Sequence, residues 1–203
     1  MNAPQRSDAW FAERAGKVTA SRVKDVIAKT KTGPSASRKN YLAQLVAERM
    51  TGQTAESFSN SAMQRGTDLE PFARARYEMF RDVLVEEVGF VSHPSIRWSG
   101  ASPDGLVSDG LVEIKCPNTA THIDYLLAGK VPTEYQPQMA WQCVCTCRAW
   151  CDFVSFDDRL PERLQLFVVR YEPDHKYLAE LEAEVEAFLD EVAKTIEQLE
   201  QIK

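Results

Sequence analysis

The sequence lacks the features of membrane, secreted and ATP-dependent proteins. It contains no apolar run of the roughly 20 residues that a membrane-spanning helix needs. Its first eight residues carry no apolar segment of the kind found in secretion signals, so we expect a cytoplasmic protein without a membrane partner. The five cysteines are an odd number, which favours free thiols over disulfides. A Gly-x-x-x-x-Gly-Lys loop is absent, so nothing indicates ATP use.

The composition that remains is that of a globular protein. The chain has 203 residues, of which 44% are hydrophobic and 27% are charged. This is enough to bury a full core, and we predict a single domain over residues 1–203. Its parts are a helical region over 1–80, a sheet core over 81–171 and a carboxyl-terminal helix over 172–203.

Positive charge is concentrated at one end of an acidic chain. The net charge is -6, but residues 1–40 carry nine Lys and Arg against three Asp and Glu. Because charges are screened beyond about 10 Å, such a region can bind a polyanion on a protein that is acidic overall. A solvated basic surface is the alternative.

Helical periodicity dominates the first 80 residues. We predict a short helix capped by Asp8, a second capped by Thr19 or Ser21, and a third that begins at Ser37. A fourth helix is predicted over 62–80, with a kink or restart at Pro71 because proline lacks the donor of the helical hydrogen bond.

Strand signals follow, and they predict a mixed α/β fold. Short apolar runs indicate strands at 83–85, 88–91, 96–99, 106–107, 111–116, 150–156 and 164–171. A helix is predicted over 133–147, and a long helix that packs on its own domain from Asp174 onward. The order predicts a central mixed β-sheet flanked by helices.

Two carboxylates and a lysine lie on the predicted hairpin around Asp109-Gly110. Asp104 starts one arm, and Glu113 lies in the middle of the other. Glu113 and Lys115 are two residues apart on a strand, so their side chains share a face while Ile114 points the other way. Such an arrangement suits a hard cation such as Mg²⁺ or Mn²⁺, which binds oxygen ligands. A turn aspartate beside a surface Glu–Lys pair is the alternative.

The residues around this triplet give a family resemblance. The chain resembles the phage lambda exonuclease family of viral-type recombination and alkaline exonucleases, within the PD-(D/E)XK nuclease superfamily. The resemblance extends over about residues 8–190. It is carried by motifs that occur in order at 10–14, 16–21, 66–70, 102–105, 113–117, 135–138 and 156–159, and it implies a restriction-endonuclease-like core.

The resemblance implies roles for the residues of the metal site. It makes Asp104, Glu113 and the Ile114 carbonyl metal ligands, and it makes Lys115 the residue that positions or activates the attacking water. It implies two Mg²⁺ ions per active site, with Mn²⁺ as a substitute. Glu70 would ligate or orient at the second ion.

The glutamine-bearing helix departs from the family pattern. Gln138 would hydrogen-bond near the catalytic lysine or the water. The family often has a second glutamine two residues later, where this chain has Ala140.

The resemblance also implies that the enzyme recognises a DNA end. Arg14, Ser21 and Ser102 match positions that bind a terminal 5′-phosphate. Lys17 and Lys31, with Lys29 and Arg38 from the same basic region, would contact duplex phosphates. Met63 matches an apolar position that wedges between the strands, although core packing is the alternative for a single methionine.

The implied activity is that of a Mg²⁺-dependent 5′-to-3′ exonuclease acting on one strand of linear double-stranded DNA. The products would be 5′-mononucleotides and a 3′ single strand for an annealing recombinase, and the enzyme would form a homotrimeric ring. Two other functions use the same residues differently. An endonuclease of the same superfamily would cut closed circles, and a DNA-binding protein with a decayed site would not cut at all.

Four cysteines lie close together near the predicted helix of 133–147. They occupy positions 143, 145, 147 and 151 without a Cys-x-x-Cys pair. We interpret them as small hydrophobic residues and not as a metal cluster.

Overall fold

The protein is described by a computed structural model that covers residues 3–31, 33–54 and 61–202. Within these ranges the helices are α1 (Asp8–Arg14), α2 (Val23–Val26), α3 (Ala36–Thr51), α4 (Ser61–Arg81), α5 (Thr119–Ala128), α6 (Gln136–Thr146) and α7 (His175–Glu200). The strands are β1 (Val18–Thr19), β2 (Lys29–Thr30), β3 (Gly33–Pro34), β4 (Val91–Ser92), β5 (Ser99–Ala101), β6 (Gly105–Val107), β7 (Gly110–Lys115), β8 (Cys151–Phe156) and β9 (Leu166–Tyr171). Single 3₁₀ turns occur at Ala20–Arg22 and Glu162–Leu164.

A four-stranded mixed sheet forms the centre of the fold. Its order is β6-β7-β8-β9, with antiparallel outer pairs and a parallel β7–β8 pair. The parallel pair needs a crossover, and α5 and α6 supply it. A second sheet has the order β1-β5-β4, and β2 and β3 form a small hairpin. The predicted central mixed sheet flanked by helices is confirmed.

The carboxyl-terminal helix packs on the rest of the chain, as predicted. Its apolar stripe is buried in the same cluster as residues of α2, α3 and α6, and it comprises Leu181, Val185, Phe188, Leu189 and Val192. Asp174 caps the helix by accepting the backbone N–H groups of residues 176 and 177. The helix therefore closes the core.

Three predicted caps are wrong by one or more residues. Ser7 caps α1, and Asp8 is already helical. Ser35 caps α3, which begins at Ala36, one residue before the predicted start at Ser37. Neither Thr19 nor Ser21 caps α2, because both lie in the β1 strand and the 3₁₀ turn that precede it. Serine and aspartate cap equally well, so adjacent candidates cannot be ranked from sequence.

Two predicted strand regions are mostly irregular. Between 83 and 90 only Glu86 forms a β-bridge, to Leu106. Leu84 is exposed to solvent, whereas Val83 and Val85 pack against the cluster below α4. The strand expected at 96–99 begins only at Ser99. The preceding residues form a turn in which the His93 Nδ1 accepts two backbone N–H groups.

The helical predictions in the middle of the chain need smaller corrections. Helix α4 continues through Pro71 without a restart. The helix predicted over 133–147 begins at Gln136, and the whole of α5 lies in a region that carried no prediction. Asn118 caps α5 through its side chain, and Gly129 ends it with a left-handed φ of 61°.

The predicted hairpin is confirmed, with its turn displaced by one residue. Val107 pairs with Gly110, so the two loop residues are Ser108 and Asp109. Ser108 has a positive φ of 48°, as the first position of a tight hairpin loop requires. Gly110 instead faces the Trp150 ring, which leaves no space for a Cβ atom.

Candidate active site

Glu113 is the best-defined side chain of the site. It lies in the middle of β7 and is fully buried. Lys115 and Gln138 donate to its Oε1 atom, Gln138 at 2.6 Å, and Gln142 donates to its Oε2 atom at 2.6 Å. Ile114 points to the opposite side and joins the cluster under α4. Strand alternation therefore places the acid and the lysine on one face, as the sequence predicts.

Asp104 lies just before β6, the strand that pairs with the Glu113-bearing strand β7. Its Oδ2 accepts the Ile114 backbone N–H at 2.6 Å. Burial raises the pKa of Asp104 well above its usual range, and the negative charges of Glu113 and Glu70 raise it further, although Lys115 opposes them. The carboxylate thus lies where negative charge is already in excess.

Lys115 is held as an ammonium ion. Burial alone would lower its pKa, but Glu113 and Asp104 outweigh that effect, and its pKa is raised. A charged lysine has no lone pair with which to accept a proton. In this arrangement the side chain can orient a water molecule and stabilise negative charge.

Glu70 is carried to the site by α4. Its Oε2 accepts a 2.6 Å bond from Arg6, and its Oε1 accepts a 3.3 Å bond from Arg74. Glu70, Arg6 and Asp104 all line one cleft of about 510 Å³. Gln5 anchors the turn that carries Arg6, because its side chain donates to the carbonyls of Val88 and Pro103.

The arrangement of these acids fits a divalent cation. Their oxygens are the hard ligands that such ions prefer, and burial together with the charges of Glu113 and Glu70 raises the pKa of Asp104. Ile114 donates its N–H to Asp104, and in a strand the carbonyl of the same residue points to the same side. Among residues 3–31, 33–54 and 61–202 no three acids, cysteines or histidines converge on one point. Glu70 and Glu113 instead turn toward their own basic or amide partners.

A second cleft of about 440 Å³ contains most of the predicted phosphate-binding residues. Arg14 and Ser21 line it. Ser102 joins them, because its Oγ accepts bonds from Arg14 at 3.2 Å and from Trp10 at 3.0 Å. We call it the phosphate cleft. The structure thus brings Ser102 beside Arg14, which lies 88 positions earlier in the sequence. Ser102 is also two residues before Asp104.

The predicted DNA-contacting residues fall into two groups. Lys17 and Met63 also line the phosphate cleft. The core-packing interpretation of Met63 is wrong, because its side chain is 54% exposed. Lys31 lies in the exposed turn between β2 and β3 and is not among the residues that line this cleft.

Two basic residues of the first 40 serve the fold. Arg38 is buried and forms two 2.7 Å hydrogen bonds with Glu191 of α7. Lys29 pairs with Glu184 of the same helix. Part of the amino-terminal positive charge therefore compensates the acidic helix α7, and Arg38 is corrected from a DNA contact to a structural residue.

Two site residues were missed in the sequence. Gln142 lies one helical turn after Gln138, so both amides reach Glu113 from one face of α6. The family pattern has its second glutamine two residues after the first, where this chain has Ala140, whereas here the second glutamine lies four residues after Gln138. Arg6 was missed because nothing in a local pattern connects it to Glu70, 64 residues later.

Three of the four clustered cysteines are buried, as expected for small hydrophobic residues. They are Cys143, Cys145 and Cys151, whereas Cys147 is exposed, and all five cysteines of the chain are free thiols. Burial raises the pKa of Cys143 to about 12.

The fold and the hairpin define the chain as a nuclease with a PD-(D/E)XK-like core. Residues 9–149 match the family described as the YqaJ-like viral recombinase domain. The chain belongs to this family, which places it with the lambda exonuclease-like enzymes.

Solved structures agree with this assignment. The alkaline exonuclease LHK-Exo from Laribacter hongkongensis has 54% sequence identity and a TM-score of 0.90, over 96% of this chain and 97% of that one. LHK-Exo in complex with dAMP has 55% identity with the same TM-score and coverage. A phage-related exonuclease from Haemophilus somnus 129PT shares the fold, with 16% identity and a TM-score of 0.70 over 90% of this chain and 96% of that one.

No curated protein sequence matches the chain significantly. Among the helices of the described residues, none is both long and apolar enough to span a membrane. The protein is an exodeoxyribonuclease on the strength of its family and its relatives.

Proposed function

We propose that the protein is a Mg²⁺-dependent exonuclease that degrades one strand of linear double-stranded DNA from its 5′ end. It would release 5′-mononucleotides and leave a 3′ single strand for recombination by annealing. The observation that carries this proposal is the position of the phosphate cleft, because Ser102 lies only two residues from Asp104. A bound 5′-terminal phosphate would therefore lie beside the acids, about one nucleotide from the bond to be cut.

The acids of the site would hold the metal. Asp104, Glu113 and the Ile114 carbonyl are the proposed ligands, and Glu70 would complete a second position. Two bound Mg²⁺ ions, or Mn²⁺ in their place, would supply a nucleophile at neutral pH and stabilise the charge on the leaving oxygen. Gln138 and Gln142 each donate to one oxygen of Glu113 and so fix the orientation of this carboxylate.

Lys115 and the phosphate cleft would perform the remaining steps. The Lys115 ammonium would orient the attacking water and stabilise negative charge on the scissile phosphate. Arg14 would bind the terminal phosphate through its guanidinium, with the hydroxyls of Ser21 and Ser102 as further donors. Lys17 would contact backbone phosphates nearby, with Lys31 further along the duplex, and Met63 would lie against the last base pair.

The assembly follows from the same family. We propose one nuclease domain over residues 1–203, a homotrimeric ring around the DNA, and a single-strand annealing protein as the recipient of the product. Light scattering in solution should give a mass of about three protomers. A monomeric mass would contradict the ring.

The experiment that tests the activity compares linear and closed circular duplex DNA. With Mg²⁺, 5′-phosphorylated linear DNA should yield labelled mononucleotides, whereas EDTA should stop the reaction and the closed circle should remain intact. Cleavage of the circle would favour the endonuclease alternative. An absence of cleavage on every substrate would favour a DNA-binding protein with a decayed site.

A further inference from the structure

A third cleft lies next to the phosphate cleft and is rich in positive charge. It has a volume of about 480 Å³ and shares Lys17 with the phosphate cleft. Arg97 and Trp98 line it, and Arg49 lies against the same indole. We call Lys17, Arg49, Arg97 and Trp98 the basic surface.

Among the residues that the structure describes, the charges of the basic surface form no salt bridge. The Arg49 guanidinium lies 4.4 Å from the Trp98 ring centroid, and that of Arg97 lies 5.4 Å from a ring of the same indole. Within the described ranges, no salt bridge includes Lys17, Arg49 or Arg97, and the buried Arg49 Nη2 has no hydrogen-bond partner. Like charges are unfavourable together unless an anion joins them, and this protein is acidic elsewhere.

The surface has a fixed position relative to the acids. Trp98 precedes β5, Ser102 follows it, and Asp104 comes two residues later. The backbone carbonyl of Trp98 accepts the Val18 N–H at 2.8 Å. This bond holds Trp98 at the start of the β1–β5 strand pair. Ser102 of the phosphate cleft lies between Trp98 and Asp104 along this segment, so the phosphate cleft lies between the acids and Trp98.

This order determines which DNA strand can reach the basic surface. It rests on the proposed function, in which the digested strand ends with its 5′-phosphate in the phosphate cleft and continues past the acids. No nucleotide of that strand extends beyond its own end. DNA on the far side of the cleft must belong to the complementary strand, which is unpaired there because its partner has been removed.

We infer that the basic surface binds the unpaired 3′ strand that the enzyme leaves behind. The ligand is single-stranded DNA, recognised without regard to sequence. Its phosphates would pair with Lys17 and Arg97, in the field of the Arg49 charge, and its bases would stack on the exposed Arg97 guanidinium and the edge of Trp98. Aromatic and guanidinium groups along a basic groove are the usual means of binding single strands.

The test measures how much a 3′ overhang increases the affinity of the protein for a DNA end. Fluorescence anisotropy in EDTA, which prevents cleavage, gives the Kd for two hairpin-closed duplexes with a 5′-phosphate. One end is blunt, and the other carries a 3′ overhang of about eight nucleotides. Since each stacked base contributes about 1–3 kcal/mol, we expect the wild type to bind the overhang on the order of tenfold more tightly.

Variants of the basic surface should lose the tighter binding of the overhang and keep the wild-type affinity for the blunt end. Arg97→Ala and Trp98→Ala should bind both probes with nearly equal Kd, close to the wild-type value for the blunt end. Arg97 is exposed, so its variant also tests the inference if Trp98→Ala fails to fold. Arg163→Ala, at an exposed arginine in the 3₁₀ turn before β9, is the matched control and should keep the wild-type ratio.

Three results would overturn the inference. They are an equal Kd for both probes in the wild type, an unchanged ratio in both variants, and an equal weakening of both probes in Arg97→Ala. The preference for 5′-phosphate over 5′-hydroxyl blunt ends, measured in parallel, reports on the phosphate cleft alone. A loss of that preference would count against the proposed function, whereas a missing overhang gain with the preference intact would count only against the basic surface.

Discussion

The acidic site and the neighbouring basic surface are unbalanced in opposite directions. Asp104, Glu113 and Glu70 lie close together at the end of the central sheet, where burial and then the charges of Glu113 and Glu70 raise the pKa of Asp104 well above its usual range. On the basic surface, burial and the positive charge of Arg97 lower the pKa of Arg49. The two regions lie at opposite ends of β5 and the loop that follows it.

A buried acid elsewhere in the chain has its negative charge compensated by neighbouring residues. Asp157 is fully buried, and burial alone would raise its pKa. Hydrogen bonds from Arg159 and Thr119 outweigh burial, so the pKa of Asp157 is lowered. Structural acids in this fold are thus neutralised by their own neighbours. In the proposed function, ligands of opposite charge would complete the acidic site and the basic surface, namely divalent cations and DNA.

The largest effect is expected at Lys115. Lys115→Ala removes the ammonium beside Glu113, and turnover of linear duplex should fall about 10²- to 10⁴-fold, as for the loss of other positioned catalytic groups. DNA binding in EDTA should remain. Lys130→Ala, at an exposed lysine after α5, is the control for loss of one positive charge. Full activity in Lys115→Ala would remove the residue from the mechanism.

The contrast between the two aspartates can be measured as stability. Asp157→Asn should lower the free energy of unfolding at pH 7 by about 3 kcal/mol, because it breaks a buried ion pair. Asp104→Asn should raise the melting temperature in EDTA, because it removes one of the repelling carboxylates. Differential scanning calorimetry measures both, and a loss of stability in Asp104→Asn would contradict the charge imbalance.

The pH dependence of the Asp157 effect has a definite sign. The pKa of Asp157 is lower in the folded than in the unfolded protein, so the ionised carboxylate stabilises the fold above the unfolded pKa of about 4. The difference in unfolding free energy between wild type and Asp157→Asn should therefore shrink as the pH falls below that value. A difference that stays constant down to pH 3 would show that the ion pair does not contribute.

The phosphate cleft should govern the choice of DNA end. Arg14→Ala should reduce the preference for 5′-phosphate over 5′-hydroxyl ends by about 10- to 100-fold, which is typical of a hydrogen bond between charged groups. Rates on the two ends give the ratio. An unchanged ratio would show that the terminal phosphate binds elsewhere.

The smallest effect is expected for Gln142. Gln142→Ala leaves Glu113 Oε2 without its donor, and calorimetry should show Mn²⁺ affinity about tenfold weaker, as for other residues that orient a metal ligand. Gln136→Ala, in the first turn of the same helix, should leave that affinity unchanged. Equal effects in both variants would assign the loss to helix stability.

The part of the site that could be predicted from the sequence is the part that local geometry determines. Strand alternation fixes Glu113 and Lys115 on one face, and the tight hairpin brings Asp104 beside them. Contacts between distant segments carry no such pattern. Gln5 anchors the turn that carries Arg6 on the loop before Asp104, and Arg6 contacts Glu70 from this turn. No periodicity in the sequence indicates that contact.

The fold, like the site, could be predicted where a local sequence pattern determines it. The long helices and the valine-rich strands of the central sheet have the periods that their burial demands, and they were predicted nearly to their ends. Helix α5 was missed because its exposed Leu127 and Ile123 break the amphipathic pattern. Residues 83–90 have strand-like composition, but only their bridge to Leu106 continues the sheet.

The most direct measurement is an anomalous diffraction map from crystals soaked in Mn²⁺. We expect one peak within coordination distance of Asp104, Glu113 and the Ile114 carbonyl, and a second beside Glu70 with Arg6 displaced from its carboxylate. A map without density at Asp104 and Glu113, in crystals where Lys115 points into solvent, would contradict the account of this site.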